Sequence, residues 1–111
     1  MIQALGKVTV PAAGTPVRST ANLTDPTRRY AVHGVLIQAL TGNTGKVYIG
    51  TTGLNKSTLA NVFAVLAIPT TNQLPTFSAA LTLAPNAITL DDLYLDADIN
   101  GEGVLVTALV N

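Results

Sequence analysis

Cysteine and tryptophan are absent from this chain, histidine occurs once, and charged side chains fill only 11 % of its 111 positions. Without cysteine there is no disulfide framework, no thiolate metal site and no thiol nucleophile. Without tryptophan a sugar-binding surface lacks its usual stacking platform, and Tyr30, Tyr48 and Tyr94 are few substitutes. Six basic residues cancel six acidic ones, which excludes a general nucleic-acid binder or a protein held to an anionic membrane. The opening MIQALGKVTV lacks the basic start, apolar stretch and small-residue cleavage site of a secretion signal. What remains is ample apolar material: 48 % of residues are hydrophobic, enough for one domain over residues 1–111 to bury a core without staples.

Charge is unevenly placed. Lys7, Arg18, Arg28, Arg29, Lys46 and Lys56 all lie in the first half, where Asp25 is the single acid, while Asp91, Asp92, Asp96, Asp98 and Glu102 follow later. Between Ser57 and Leu90 no residue is charged. Pro69, Pro75 and Pro85, with Thr70, Thr71, Asn72 and Gln73, interrupt that stretch too often for a membrane span of about 20 apolar residues. A small domain normally spreads charge over every exposed face, so the neutral stretch is expected to meet protein rather than water, the alternative being core strands joined by neutral threonine-rich loops. Phe63 and Phe77 within it, and the Arg28–Arg29 pair, whose guanidinium groups suit a partner's carboxylate but equally fit solvated charges on a loop, are the candidate interface residues.

Valine, isoleucine, leucine and threonine dominate, which favours strands. GKVTV (6–10) is the first candidate, followed by an extended loop around residues 11–29 in which only 16–19 could extend. Tyr30 to Leu40 reads as a long strand. TGNTG and KVYIG then suggest a hairpin, and GTTG (50–53) a further turn. STLANVFAVLAI admits a short helix from Ser57 or a strand ending before Pro69; Phe63, Val65 and Ile68 tip it toward strand. Strands are also expected at 77–83, 87–90, 93–97 and 104–110. Near 93–99 the alternation is strict, with Leu93, Leu95, Ala97 and Ile99 on one side and Asp92, Tyr94, Asp96 and Asp98 on the other, as in a strand buried on one face. About eight short strands with no amphipathic helix predict an all-β, antiparallel β-sandwich or small barrel.

Catalytic and metal signatures are thin. In DADINGEG the oxygens of Asp96, Asp98 and Asn100 alternate and Gly101 permits a bend, as in a calcium loop, but the twelfth position is Thr107 where a bidentate glutamate belongs. A turn between antiparallel strands explains the same residues. His33 could serve as a general base, yet no nucleophile context accompanies Ser19, Ser57 or Ser78. Neither glycine cluster has the phosphate-cradling spacing. No enzyme activity, cofactor or metal is expected.

Taken in order, AGTPV (Ala13 to Val17), NTGKVYIG (Asn43 to Gly50) and LDADINGEGV (Leu95 to Val104) resemble the small capsid decoration, or cement, proteins of tailed bacteriophages and their virion relatives. Where that pattern has a glycine turn, this chain has Ala84-Pro85-Asn86-Ala87, and asparagine tolerates the positive φ required. The resemblance implies a jelly-roll-like sandwich that forms a small symmetric oligomer, a trimer being favoured. It also implies a major capsid protein as partner, with the chain made in the host cytoplasm and carried on the capsid exterior. A head-to-tail, tail or fibre component is the neighbouring alternative. A calcium-dependent or carbohydrate-binding sandwich module is the rival from another class.

Overall fold

The structure, a computed structural model, describes residues 2–20, 31–32, 34–80, 88–89 and 93–109. These residues form ten strands: β1 (Ile2–Thr9), β2 (Val17–Arg18), β3 (Ala31–Val32), β4 (Gly34–Ala39), β5 (Val47–Asn55), β6 (Ala60–Leu66), β7 (Thr76–Ala80), β8 (Ile88–Thr89), β9 (Tyr94–Ala97) and β10 (Gly103–Leu109). Among them no helix is long and apolar enough to cross a membrane.

The pairing follows one rule. β1 pairs with β10, β2 with β9, β3 with β8, β4 with β7 and β5 with β6, all antiparallel. The chain is therefore one long hairpin whose tip is the turn at 56–59. Two further pairings, β10 with β4 and β5 with β9, wind that hairpin into two four-stranded sheets, ordered β1-β10-β4-β7 and β2-β9-β5-β6. Setting aside the short β3-β8 pair, this is the strand order of a jelly roll. The expected antiparallel sandwich is the fold observed.

Alternating β-branched and polar residues place the core between the sheets. Val35, Ile37 and Ala39 of β4 and Val104, Val106 and Ala108 of β10 face Val47 and Ile49 of β5 and Leu95 and Ala97 of β9 in one buried cluster. Ile37, Ile49 and Leu95 are fully buried, each contributing about 1.5–3 kcal/mol through apolar area removed from water. The outward positions of the first sheet include Leu36 and Leu105, both exposed.

Several sequence expectations are corrected. TGNTG does not close a hairpin, because β4 and β5 lie in different sheets. Its residues instead build an arch from one sheet to the other. The buried Asn43 side chain donates from Nδ2 to the Gly103 carbonyl and accepts at Oδ1 from the Gly103 N–H, while Gly45 allows close approach, since a Cβ there would lie 2.8 Å from Ile99 Cγ1. GTTG is likewise inside β5 and is not the turn. Gly50 sits where a side chain would collide with the Asn61 carbonyl, and Gly53 has φ +84°, so both glycines let the end of β5 bend back. β1 starts at Ile2 rather than Gly6, through a bulge between Ala4 and Gly6. Of the long strand expected at 30–40, residues 31–32 lie in β3 and 34–39 in β4, with Tyr30 and His33 outside the described residues. Of the extended loop, residues 11–20 are described, with β2 within them. The alternation at 93–97 holds in direction but not in exposure: Asp96 is 1 % exposed, on the side expected to be wet, whereas Ile99 is exposed.

Candidate functional site

Asp96 is buried because two chain segments cover it. Its Oδ1 accepts hydrogen bonds from the Gly14 N–H at 2.9 Å and from the Ala97 N–H at 2.8 Å. Over the same position lies the tip of the β5-β6 hairpin, where Lys56 Nζ donates to the Ala97 carbonyl at 2.8 Å and stands 3.5 Å from Asp98 Oδ1. Gly14, Leu54, Asn55, Lys56, Ser57 and Asp96 line a small depression of about 230 Å³ between the two segments.

The calcium-like loop is thereby accounted for. Besides the two bonds of Asp96, Asn100 Oδ1 accepts from the Ala13 N–H at 2.8 Å. Asp98 takes Lys56 on one oxygen and the Tyr48 hydroxyl, at 3.3 Å, on the other. Burial, and then the neighbouring Asp98 charge, raise the Tyr48 pKa, so that hydroxyl stays protonated and keeps donating. Asp96 Oδ1, Asn100 Oδ1 and both oxygens of Asp98 thus face protein donors, and among the described residues no group of three or more His, Cys, Asp or Glu is arranged to hold a metal ion.

Glu102 does a similar structural task for the 40–46 arch. Its carboxylate accepts from the Thr44 N–H (2.7 Å), the Thr44 hydroxyl (2.9 Å) and the Gly45 N–H (2.9 Å). Burial opposes the charge, but these three donors outweigh it and hold the Glu102 pKa below its ordinary value of 4.5. A carboxylate with a depressed folded-state pKa stabilises the fold above its unfolded pKa, and that contribution is lost as pH falls through the folded value. Thermal melts between neutral pH and pH 3 should therefore show a loss of stability below about pH 4.5 that is smaller in Glu102→Gln. An unchanged pH profile in that variant would show that the arch does not depend on the charge.

Of the candidate interface residues, the structure brings Phe63 and Phe77 together. Their ring centroids are 5.3 Å apart with planes tilted by 53°, a favourable aromatic geometry. Phe77 packs against the core, whereas Phe63 is 47 % exposed. The contact exists because β6 carries a bulge: Ile49 faces Ala64 but Gly50 faces Val62, leaving Phe63 as an extra residue without a partner across the ladder. Arg28, Arg29 and His33 lie outside the described residues. Ser19 is buried, Ser57 is exposed in the hairpin turn, and Ser78 falls on β7.

Phe63 is one of several exposed apolar residues in its part of the chain. Among the described residues the exposed large apolar side chains are Leu36, Leu59, Phe63, Val65, Ile68, Leu74, Ile99 and Leu105, and the five from Leu59 to Leu74 follow one another along β6 and its connection to β7. This is the first part of the uncharged stretch. Leu59, which the sequence reading did not single out, is the least expected member: it is 54 % exposed and has φ 63°. A left-handed conformation costs a residue with a Cβ roughly 1–2 kcal/mol. The signal was available in NKSTLAN, a leucine in a turn where glycine or asparagine is favoured.

Comparison of the chain with protein-family models, curated proteins and solved structures finds no match.

Proposed function

We propose that this chain is a virion structural protein, a capsid decoration protein that binds the outside of a tailed-phage shell and stabilises it by bridging capsid subunits. Jelly rolls serve viral capsids and lectins alike, so the topology alone does not choose between these roles. The observation that carries the reading is that five large apolar side chains, Leu59, Phe63, Val65, Ile68 and Leu74, are exposed within the stretch that has no charge. Apolar surface left exposed in this way favours a protein-binding role. A cement protein needs such surface and no reaction: it binds the closed shell and not the opened one, which shifts the balance toward closure. The acidic loop, with its oxygens held by Gly14, Ala97, Ala13, Lys56 and Tyr48, does not favour the calcium-dependent alternative.

The oligomer, with a trimer favoured, and the major capsid protein as partner belong to the same proposal, as does a place on the capsid exterior. Purified protein mixed with undecorated capsids of the phage proposed to encode it should co-sediment at a fixed ratio to the capsid protein. Absence from the capsid pellet, with binding to purified tails instead, would replace the reading by the tail-component alternative.

A further inference from the structure

We propose that the Asn100-Gly101 pair is a site of spontaneous covalent modification, which the segment from Val10 to Ala13 holds closed in the folded chain. Asn100 is the only asparagine of the sequence followed by glycine. Asparagine is thermolabile, and a following glycine leaves its Cγ most open to attack by the next backbone nitrogen, because no Cβ stands in the way. The reaction needs water as its only co-reactant. The Gly101 nitrogen bonds to Asn100 Cγ, the Cγ–Nδ2 bond breaks, and the Gly101 proton leaves with the amide as ammonia. Water then opens the cyclic imide at either carbonyl, giving aspartate or isoaspartate.

The fold needs both residues of this vulnerable pair. Gly101 has φ +82° in the turn between β9 and β10, a backbone conformation that favours glycine. Asn100 supplies the acceptor for the Ala13 N–H. Both residues are exposed, so water reaches them and burial gives no protection.

Protection comes instead from two hydrogen bonds. The Gly101 N–H, which must lose its proton to attack, donates to the Val10 carbonyl at 2.7 Å. Asn100 Oδ1 accepts from the Ala13 N–H at 2.8 Å, which fixes the side chain whose Cγ must swing onto the Gly101 nitrogen. Both partners belong to one short segment. Val10 anchors it, being fully buried in the core cluster and donating its own N–H to the Glu102 carbonyl at 2.9 Å. The two clamps therefore open together when that segment lifts from the turn. Such a local opening is fast compared with the chemistry, so the rate of modification follows the population of the open form. Isoaspartate routes the backbone through Cγ and adds a methylene to the turn. That displaces Gly101 from Val10, and Glu102 from the Thr44 and Gly45 N–H groups it holds, so a chain modified while open does not regain the same closed state.

Peptide mapping by mass spectrometry, on protein aged at mildly alkaline pH, tests this. Folded wild type should convert Asn100 about tenfold or more slowly than wild type unfolded in urea, as expected of a segment open less than about a tenth of the time. Ala13→Pro removes the N–H that holds Asn100 and suits the local backbone. The Thr15 N–H donates to the Ala12 carbonyl and Gly14 has φ +91°, a type II turn with Ala13 at the position proline favours. Folded Ala13→Pro, verified by a cooperative melt, should convert Asn100 about threefold or more faster than folded wild type. Chains carrying isoaspartate, returned to native buffer, should melt at a lower temperature than unmodified ones. Equal rates in folded and unfolded wild type, or wild-type rates in folded Ala13→Pro, would overturn the proposal, and so would isoaspartate chains with an unchanged melt. If Ala13→Pro does not fold, the comparison of folded with unfolded wild type decides.

Discussion

Gly103→Ala should destabilise the fold by about 3 kcal/mol or more, lowering Tm by roughly 12 °C or more for a domain of this size. A Cβ at Gly103 would lie 2.0 Å from the Val8 carbonyl oxygen and 2.7 Å from Thr9 Cα. Both are backbone atoms, so no side chain can swing away; the β1-β10 ladder would have to part. Its carbonyl also accepts from the Leu40 N–H and the Asn43 amide, so any shift disturbs the arch between the sheets. Gly42 provides the control. Nothing lies within 4 Å of a Cβ there, and alanine should change stability by less than about 0.5 kcal/mol. Denaturant unfolding of the two variants reads the contrast, and equal midpoints would show that β1 does not approach β10 as closely as described.

Asp96→Ala should cost about 2–4 kcal/mol, because it removes the acceptor of two backbone N–H groups, Gly14 and Ala97, in a place with 1 % exposure. Asp96→Asn should recover most of that loss, since its amide oxygen can still accept both bonds. The pair bears on function too. A calcium-dependent module would also lose stability with Asp96→Ala, so that variant alone does not separate the readings. A chelator does: it should leave the wild-type melt unchanged, and a lowered Tm on chelation would show that a cation sits where the structure places protein donors.

Strict alternation of Leu93, Leu95 and Ala97 with Tyr94 and Asp96, together with a composition rich in valine, isoleucine, leucine and threonine and poor in lysine and glutamate, made the all-β sandwich legible in the sequence. The order of the rungs was not, because glycine and asparagine serve two ends that look identical in one dimension. In TGNTG they make room for Ile99 and hold Gly103, and in GTTG they let β5 bend back beneath Asn61. Alternation likewise told which side of β9 Asp96 occupies but not that the hairpin tip and the Gly14 loop would close over it. The exposed apolar stretch was foreshadowed by a run of residues without charge, a property of composition. Its particular members, Leu59 in a left-handed turn and Phe63 displaced by a bulge onto Phe77, depend on register and emerge only in three dimensions.

Under the decoration proposal, this jelly roll strengthens a shell by covering area between its subunits. The most direct measurement of that proposal is the temperature at which DNA escapes from capsids of the phage proposed to encode it, with and without saturating protein. A higher escape temperature that plateaus once a fixed number of copies has bound is the expected result. Escape at the same temperature with the protein bound at saturation would contradict it.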